Sequence, residues 1–256
     1  MTAPAPSVER VALITGASRG IGRATAHELA RRGFAVYLVA DGTADELTCA
    51  VADCRAAGAP AAAWATADFT KAGEAERMVE AALARLGRVD VLVNNAGIRC
   101  RKRFGDFTHD DFERVVAVNL AAAFFASQAV LPAMRAQGGG RIIHVASQFG
   151  SVTNTGVAIY GLTKAALIHL TKTMAFELAA DNILVNSVSP GPIATQFNQD
   201  AWAADPGYRE ALHARVPLGR AGTPEEVAEA IAFLATTEGR FIHGHDLVVD
   251  GGFIIH

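Results

Sequence analysis

The sequence predicts an α/β fold, in which one doubly wound parallel β-sheet is covered on both faces by helices. Short apolar runs alternate along the 256 residues with longer alanine-rich stretches of helical character. Strands that are apolar almost throughout are typical of a parallel sheet that is buried on both faces. The sequence has no internal repeat, low-complexity tract or linker. Residues 1–256 are therefore expected to form a single domain.

Seven apolar runs are predicted to be strands. In chain order they are Val11–Ile14, Ala35–Ala40, Ala61–Ala65, Val89–Val93, Arg141–Ala146, Leu184–Val188 and Leu247–Val249. The helices predicted between them include Arg23–Arg32, Glu74–Leu86, Asp110–Leu131, Ala158–Ala180 and Pro224–Ala235. In an open sheet built from such strand–helix units, ligands bind beyond the carboxyl ends of the strands.

Two stretches depart from this alternation. Residues 1–8 have neither the basic start nor the apolar core of a signal peptide, so we expect a loose N-terminal tail. Residues 196–216 carry Phe197, Trp202 and Tyr208 and separate a strand-end motif from the next long helix. Their position suits a lid over a substrate, and a rigid packed excursion or a subunit contact explains it equally well.

Composition limits the classes of partner. The formal net charge of −3 argues against a general nucleic-acid or membrane-surface binder. The apolar stretch Leu120–Met134 is interrupted by Ser127, Gln128 and Pro132, which favours a buried helix over a membrane span. The three cysteines have neither metal-ligand spacing nor an obvious pairing, as in reduced proteins of the cytoplasm: Cys49, Cys54 and Cys100. We therefore expect a cytoplasmic protein without a metal site.

A glycine-rich turn follows the first predicted strand. It has the sequence TGASRGIG at residues 15–22 and leads directly into the predicted helix Arg23–Arg32. Glycines let the backbone approach phosphate groups, and the unpaired N–H groups and dipole of a helix N-terminus favour negative charge. The turn predicts a pyrophosphate-binding site formed by Gly16, Ser18, Arg19, Gly20, Ile21 and Gly22.

Tyr160 and Lys164 form a candidate proton-transfer pair. Residues four apart on a helix lie on the same face, so the phenol and the ammonium are expected to face one cavity. Lowering a tyrosine pKa from about 10 to about 7 needs roughly 4 kcal/mol of phenolate stabilisation. A fixed cation in a partly dry site can supply it. Ser147 lies thirteen residues before Tyr160 and is the candidate third member.

Taken together, these motifs resemble the short-chain dehydrogenase/reductase family over essentially the whole chain. The matching segments are Thr15–Gly22, Asp68 within residues 67–70, Asn94–Gly97, Asn119, Ser147, Tyr160–Lys164, Pro190–Thr195 and Val249–Gly252. The resemblance implies a Rossmann-type fold, a nicotinamide dinucleotide cofactor, and hydride transfer between a secondary alcohol and a ketone. It also implies a homotetramer and a small-molecule substrate.

The resemblance assigns roles to the remaining motif residues. It places the adenine against Asp68 and the Phe69 backbone, and the adenosine ribose against Asn95, Ala96 and Gly97. The nicotinamide end is assigned to Pro190, Gly191, Ile193 and Thr195. Tyr160 is then the acid or base, and Ser147 holds the substrate oxygen. Lys164 stabilises the phenolate and binds the nicotinamide ribose, and Asn119 supports a water-mediated proton route.

The choice between NAD and NADP depends on Arg19 and Asp41. In the family a basic residue at the position of Arg19 often accompanies NADP. Asp41 directly follows the strand Ala35–Ala40, where a carboxylate can accept hydrogen bonds from ribose hydroxyls and repel a phosphate. By the resemblance, the position at which NAD-selecting relatives usually have an acidic residue falls on Ala40. Asp41 is the next residue. A solvated turn residue is the alternative for Asp41, and NAD is the favoured cofactor.

The substrate is less constrained by the sequence. Relatives that reduce 3-oxoacyl groups on a carrier protein tend to have arginines where this chain has Gly138 and Asp181. Gln148 and Asn154 favour a sugar, polyol or small hydroxy-ketone instead. A basic cluster follows the Asn94–Gly97 motif and suits either an acidic group or a solvated loop: Arg99, Arg101, Lys102 and Arg103. A non-catalytic dinucleotide-binding regulator is the alternative of another class.

Overall fold

The computed structural model describes residues 10–204 and 206–255, so the predicted tail at residues 1–8 lies outside the described residues. Its seven strands are β1 Val11–Thr15, β2 Ala35–Ala40, β3 Ala62–Thr66, β4 Val91–Asn94, β5 Gly140–Val145, β6 Ile183–Pro190 and β7 Asp246–Val249. They form one sheet in the order β3-β2-β1-β4-β5-β6-β7, and every neighbouring pair is parallel. The predicted α/β fold is confirmed, with each strand end within two residues of its predicted position.

The helices lie between the strands as expected. They are α1 Gly20–Arg31, α2 Ala44–Ala56, α3 Glu74–Leu86, α4 His109–Val116, α5 Ala122–Ala136, α6 Ala158–Leu178, α7 Gln196–Ala204, α8 Pro206–Ala214 and α9 Pro224–Thr236. Residues 196–216, for which a lid, a packed excursion or a subunit contact was predicted, contain α7 and α8. The single helix predicted at Asp110–Leu131 is a longer stretch, in which a π-helical turn, Ala117–Ala121, joins α4 to α5.

Alternate residues of each central strand enter different cores. In β1, Ala12 and Ile14 belong to a core that includes Leu29 of α1 and Ile231 of α9. Leu13 points the other way, into a core formed with α3, α5 and α6. All five residues of β1 are buried, as the apolar runs predicted. The sheet is thus covered on both faces, and polar ligands are restricted to its ends.

By length and composition, one helical stretch is apolar enough to cross a membrane. It runs over His109–Ala136, which comprises α4, the π turn and α5, and has a mean hydropathy of 1.7 in its most apolar window. Its inner face buries Val130 and Met134 in the core shared with α3, which is the packing of a core helix in a globular protein. Its outer face leaves Phe124 and Phe125 more than 40% exposed.

His144 is a fully buried titratable group near the carboxyl end of β5. Its Nδ1 lies 3.2 Å from Nδ2 of Asn94, and its Nε2 has no hydrogen-bond partner among the described residues. Burial, aided by the positive charge of Lys164, lowers the pKa of His144 from 6.5 to about 4. The imidazole is therefore neutral in the folded protein at physiological pH.

We expect His144 to make the protein less stable at mildly acidic pH. Above pH 6.5 the imidazole is neutral in both the folded and the unfolded state, so it adds no pH dependence. As the pH falls from 6.5 towards about 4, the unfolded chain binds a proton that the folded chain excludes. The difference between the two pKa values corresponds to about 3 kcal/mol of lost stability.

The measurement is the free energy of urea unfolding at pH 7 and pH 5 for wild type, His144→Gln and His169→Gln. His144→Gln should lose less stability than wild type on acidification. His169 is exposed, so His169→Gln should keep the pH dependence of the wild type. An unchanged pH dependence in His144→Gln would contradict the assignment.

Candidate active site

A cavity of about 500 Å³ opens beyond the carboxyl ends of β1, β4, β5 and β6. It lies at the point where the chain order of the sheet reverses, between β1 and β4. With the exception of Gly22, every predicted cofactor-binding residue lines it: Gly16, Ser18, Arg19, Gly20, Ile21, Asp41, Asp68, Phe69, Asn95, Ala96, Gly97, Tyr160, Lys164, Pro190, Gly191, Ile193 and Thr195.

The glycine-rich turn has the backbone that a pyrophosphate site needs. Gly16 and Gly20 have φ values of 63° and 55°, in the left-handed region that favours glycine. Helix α1 begins at Gly20, and no side chain caps its first turn. Its first N–H groups therefore lie at the cavity without a side-chain partner, an arrangement that fits the pyrophosphate of a dinucleotide.

Gly22 supports the turn from behind and does not line the cavity. A Cβ atom at this position would lie 2.2 Å from the carbonyl oxygen of Gly16 and 2.6 Å from Nδ2 of Asn95. The start of α1 thus packs directly on the turn, and only glycine leaves room for that contact.

The Asn94–Gly97 segment is bound to the glycine-rich turn through Thr15. The Thr15 hydroxyl oxygen accepts hydrogen bonds from the backbone N–H groups of Asn95 and Ala96, each at 2.9 Å. In return, Nδ2 of Asn95 donates to the carbonyl oxygens of Thr15 and Gly16. The ends of β1 and β4 are therefore one rigid unit at the floor of the cavity.

Three polar side chains mark the end of the cavity away from Tyr160. Arg19 and Asp41 are both exposed there, whereas Ala40 is 1% exposed. Asp68 accepts hydrogen bonds from the Thr70 hydroxyl and backbone N–H, and it pairs with Lys71. Its hydrogen bonds to Thr70, more than the charge of Lys71, hold its pKa below the usual value.

At the opposite end, the structure brings Ser147, Tyr160 and Lys164 together. Ser147 follows β5, while Tyr160 and Lys164 lie one turn apart near the start of α6. Ser147 and Lys164 are 6% and 3% exposed. The Lys164 Nζ donates to the Val145 carbonyl oxygen at 2.7 Å and lies 5.6 Å from the centre of the Tyr160 ring. Lys164 is therefore a fixed cation beside the phenol.

Asn119 holds the wall behind this group without lining the cavity. Its Nδ2 donates to the Ile98 carbonyl oxygen at 3.0 Å, and its Oδ1 accepts from the Ile98 N–H at 2.8 Å. The π turn that carries Asn119 widens the helix locally, a feature that is frequent at functional sites. Asn119 thereby fixes the chain directly before Arg99.

The electrostatic environment favours the phenolate form of Tyr160. Burial alone would raise the pKa of Tyr160, but the charges of Lys164 and Arg99 and a hydrogen bond with Ser147 outweigh it, so the pKa falls below 10. Burial also lowers the pKa of Lys164, and nearby Arg99 lowers it further. The group can therefore exchange a proton more readily than an isolated tyrosine in water.

Arg99 was not among the predicted catalytic or cofactor-binding residues. Its guanidinium carbon lies 5.2 Å from the centre of the Tyr160 ring, and its Nη1 donates to Oδ1 of Asn198 at 3.1 Å. Asn198 is 7% exposed and donates in turn to the Ile193 carbonyl oxygen at 2.7 Å. These contacts favour a place in the site over a solvated loop for Arg99, and its position two residues after the Asn94–Gly97 motif could have indicated this.

A smaller chamber of about 90 Å³ adjoins the cavity at Ser147. Its described lining contains Arg99, Arg101, Ser147, Gln148, Phe149, Gly191, Pro192, Asn198, Trp202 and Leu212. Trp202 of α7 and Leu212 of α8 are buried with Val216 and Phe253, so residues 196–216 cover the chamber with apolar side chains. The side chains of Phe197 and Tyr208 lie outside the described residues.

Several residues singled out in the sequence lie away from both spaces. Asn154 accepts a hydrogen bond from the Thr155 N–H and lines neither space. Lys102 pairs with Asp111 at 2.5 Å, and Arg103 is exposed. Asp181 pairs with Arg135 at 2.8 Å. The cysteines are free, and no three His, Cys, Asp or Glu side chains of residues 10–204 and 206–255 form a metal-binding group.

Comparisons with known proteins place the chain in a family. Residues 16–254 match the family model described as enoyl-(acyl carrier protein) reductase. The chain is 39% identical to a 3-oxoacyl-[acyl-carrier-protein] reductase of Synechocystis, covering 96% of this chain and 97% of the relative. It is also 39% identical to L-rhamnose 1-dehydrogenase (NAD(P)(+)) of Azotobacter vinelandii, covering 97% and 98% of the two chains.

A solved structure of similar sequence also shares the fold of this chain. The blue fluorescent protein from a metagenomic library, solved in complex with NADPH, superposes with a TM-score of 0.89 at 38% identity and covers 96% of this chain and 98% of that one. The parallel seven-stranded sheet of this chain agrees with the likeness to that structure. The chain belongs to the short-chain dehydrogenase/reductase family of NAD(P)-dependent oxidoreductases.

Proposed function

We propose that this chain interconverts a secondary alcohol and the corresponding ketone, with Tyr160 as general acid and base. The observation that carries the proposal is the phenol of Tyr160, which lines the cavity with Ser147 and is flanked by the cations Lys164 and Arg99. These three residues belong to the single domain that we propose for residues 1–256. Within it, residues 196–216 form the lid over the substrate.

The proton chemistry follows from this arrangement. In the direction of ketone reduction, Tyr160 donates its proton to the substrate oxygen as negative charge grows there, and Ser147 hydrogen-bonds the same oxygen. In alcohol oxidation the Tyr160 phenolate removes the hydroxyl proton. Lys164 stabilises the phenolate, and Asn119 supports the path by which a proton reaches the pair from water.

The cavity would hold a nicotinamide dinucleotide, which would accept or supply the hydride when bound. The turn at Gly16, Gly20 and the start of α1 takes the pyrophosphate, Asp68 takes the adenine, and Thr195 and Lys164 take the nicotinamide end. NAD is the proposed cofactor, because Asp41 lies at the mouth of the cavity where an NADP phosphate would be repelled. Arg19 and the NADPH-bound relative favour NADP as the second candidate.

The proposed substrate is a sugar, polyol or small hydroxy-ketone. Gln148 is 3% exposed, and its Oε1 has no hydrogen-bond partner among the described residues. A buried acceptor of this kind is satisfied by a donor such as a substrate hydroxyl. The likeness to the 3-oxoacyl reductase favours a carrier-protein substrate as the second candidate. Asp181 argues against it, because it stands where such relatives tend to have an arginine and its carboxylate pairs with Arg135.

The test is turnover, followed at the reduced-nicotinamide absorbance band, on sugars, polyols, hydroxy-ketones and acetoacetyl thioesters with NAD and NADP separately. We expect turnover of hydroxylated substrates with NAD, and a fall in kcat/KM of about tenfold in Gln148→Ala, because one hydrogen bond to the substrate is lost. Turnover of thioesters alone with NADPH, or unchanged kinetics of Gln148→Ala, would contradict the proposed substrate. Binding of the dinucleotide without turnover would favour the regulatory alternative.

We also propose that the chain assembles as a homotetramer in the cytoplasm. Phe124 and Phe125 of α5 are more than 40% exposed, Phe176 of α6 is 90% exposed, and Ile255 is 81% exposed. Large apolar side chains that are exposed on the surface of a chain are typical of contacts between subunits. Sedimentation should give four times the chain mass of 26.8 kDa, and a mass of one chain would contradict the assembly.

A further inference from the structure

We propose that Asn198 is a positioning residue, which couples the position of helix α7 to proton exchange at Tyr160 by holding the guanidinium of Arg99 beside the phenol ring. The inference rests on the oxidoreductase function proposed above. It adds to that function a link between the proposed lid and the acid–base group.

Asn198 is fixed at its backbone and at both ends of its side-chain amide. It lies in the first turn of α7, where its N–H donates to the Thr195 carbonyl oxygen at 3.0 Å. Its side chain is 7% exposed, and its Nδ2 donates to the Ile193 carbonyl oxygen at 2.7 Å. Its Oδ1 accepts from Nη1 of Arg99 at 3.1 Å. The acceptor for Arg99 therefore cannot rotate away without breaking the bond to Ile193.

Arg99 is held at its backbone and at its guanidinium. Its backbone directly follows Ile98, which exchanges two hydrogen bonds with Asn119. Its guanidinium carbon lies 5.2 Å from the centre of the Tyr160 ring, and its Nη1 donates to Asn198. An arginine side chain has many rotamers, so each contact that favours one of them keeps the charge at a defined distance from the phenol. Asn198 supplies such a contact from a distant part of the chain.

The contact between Arg99 and Asn198 lies where the two spaces of the site meet. Both residues line the large cavity and also the smaller chamber. Asn198 belongs to the first helix of the proposed lid, and its partner Ile193 belongs to the segment assigned to the nicotinamide. Displacement of α7 removes a bond that holds Arg99 beside Tyr160. The position of the lid therefore influences how readily the phenol loses its proton.

Several other charged groups face these two spaces. On the described walls they are Lys164 of α6, Arg99 and Arg101 of the loop after β4, Arg114 of α4, and Arg19, Asp41 and Asp68 towards the far end. Burial would raise the pKa of Tyr160, and the charges of Lys164 and Arg99 outweigh it. A substitution at Asn198 changes none of these charges. A change in the titration of Tyr160 would then report that a charge has moved, and a double-mutant cycle identifies which one.

The titration of Tyr160 tests the proposal directly. The chain has three tyrosines, so the difference in tyrosinate absorbance between each protein and the same protein with Tyr160→Phe isolates one phenol. We expect the midpoint in Asn198→Ala to lie at higher pH than in wild type, by most of the displacement that Arg99→Gln causes. In the double variant Arg99→Gln/Asn198→Ala the midpoint should equal that of Arg99→Gln alone, because the charge that Asn198 positions is absent.

Two further variants separate the hydrogen bond from packing. Gln199→Ala changes the next residue of α7, which is exposed, and should keep the wild-type midpoint. Asn198→Leu fills a similar volume without polar atoms and should displace the midpoint as Asn198→Ala does. Circular dichroism at each pH shows which variants are folded. A wild-type midpoint in folded Asn198→Ala or Asn198→Leu would overturn the proposal. Displacements that add in the double variant would overturn it as well.

The same effect is expected in catalysis. Alcohol oxidation needs the phenolate, so the acid side of the pH profile of kcat should move to higher pH in Asn198→Ala. A fall in kcat by the same factor at every pH would indicate a structural role alone and contradict the proposal. Failure of the proposed function is recognised separately, as the absence of turnover on every alcohol and ketone with either cofactor. The absorbance titration needs neither substrate nor cofactor, so a displaced midpoint would still support the role of Asn198 in that case.

Discussion

Tyr160→Phe should lower kcat by about a thousandfold while leaving the affinity for the dinucleotide almost unchanged. The substitution removes the hydroxyl group alone, and a positioned general acid or base typically contributes 10² to 10⁴ in rate. The aromatic ring stays in place between Arg99 and Lys164, so the packing of the cavity is kept. The measurement is steady-state turnover together with fluorescence titration of NADH and NADPH.

The matched control is Tyr37→Phe. Tyr37 lies in β2 and is 5% exposed, within the core on the α3 side of the sheet. Removal of its hydroxyl makes the same chemical change away from the cavity and should leave kcat within about threefold of wild type. If Tyr160→Phe kept a wild-type kcat on the true substrate, the proton would have to come from another group. The assignment of Tyr160 would then fail, although the dinucleotide site would stand.

Fold and motif geometry could be predicted because they depend on local patterns. The apolar runs fixed which segments become strands, and a parallel sheet brings the ends of β1, β4, β5 and β6 to one edge whatever the loops do. The spacing of Tyr160 and Lys164 likewise predicted that their side chains face one cavity, because residues four apart on a helix lie about one turn apart. The contact of Gly22 with Gly16 is equally local, because the two residues belong to one turn.

Other features depend on contacts between distant parts of the chain. The orientation of Arg99 is set by Asn198, ninety-nine residues further along the sequence, which no spacing rule connects to it. The π turn at Ala117–Ala121 is accompanied by hydrogen bonds from Asn119 to Ile98 and Thr163. Likewise, α7 and α8 pack through Trp202 and Leu212 against Val216 and Phe253, which lie further along the chain. Sequence patterns alone therefore do not predict the contacts that shape the substrate end of the site.

Gly22→Ala should abolish dinucleotide binding at concentrations up to about a hundred times the wild-type Kd. The added methyl group would lie 2.2 Å from the Gly16 carbonyl oxygen and 2.8 Å from its carbonyl carbon. Both are backbone atoms of the turn, so no side-chain rotation relieves the overlap. The start of α1 must move away from the turn, and the N–H groups that face the pyrophosphate move with it.

Gly105→Ala is the control for this substitution, because a Cβ atom there meets no other heavy atom within 4 Å. It should bind NADH and NADPH as the wild type does. The unfolding free energy of Gly22→Ala should fall by about 1–3 kcal/mol, the usual cost of overpacking, so binding is measured at a temperature where circular dichroism shows the variant folded. A folded Gly22→Ala protein with a Kd within threefold of wild type would mean that the turn tolerates displacement. The pyrophosphate would then be held mainly by contacts outside α1, and the close packing of Gly22 on Gly16 would serve stability alone.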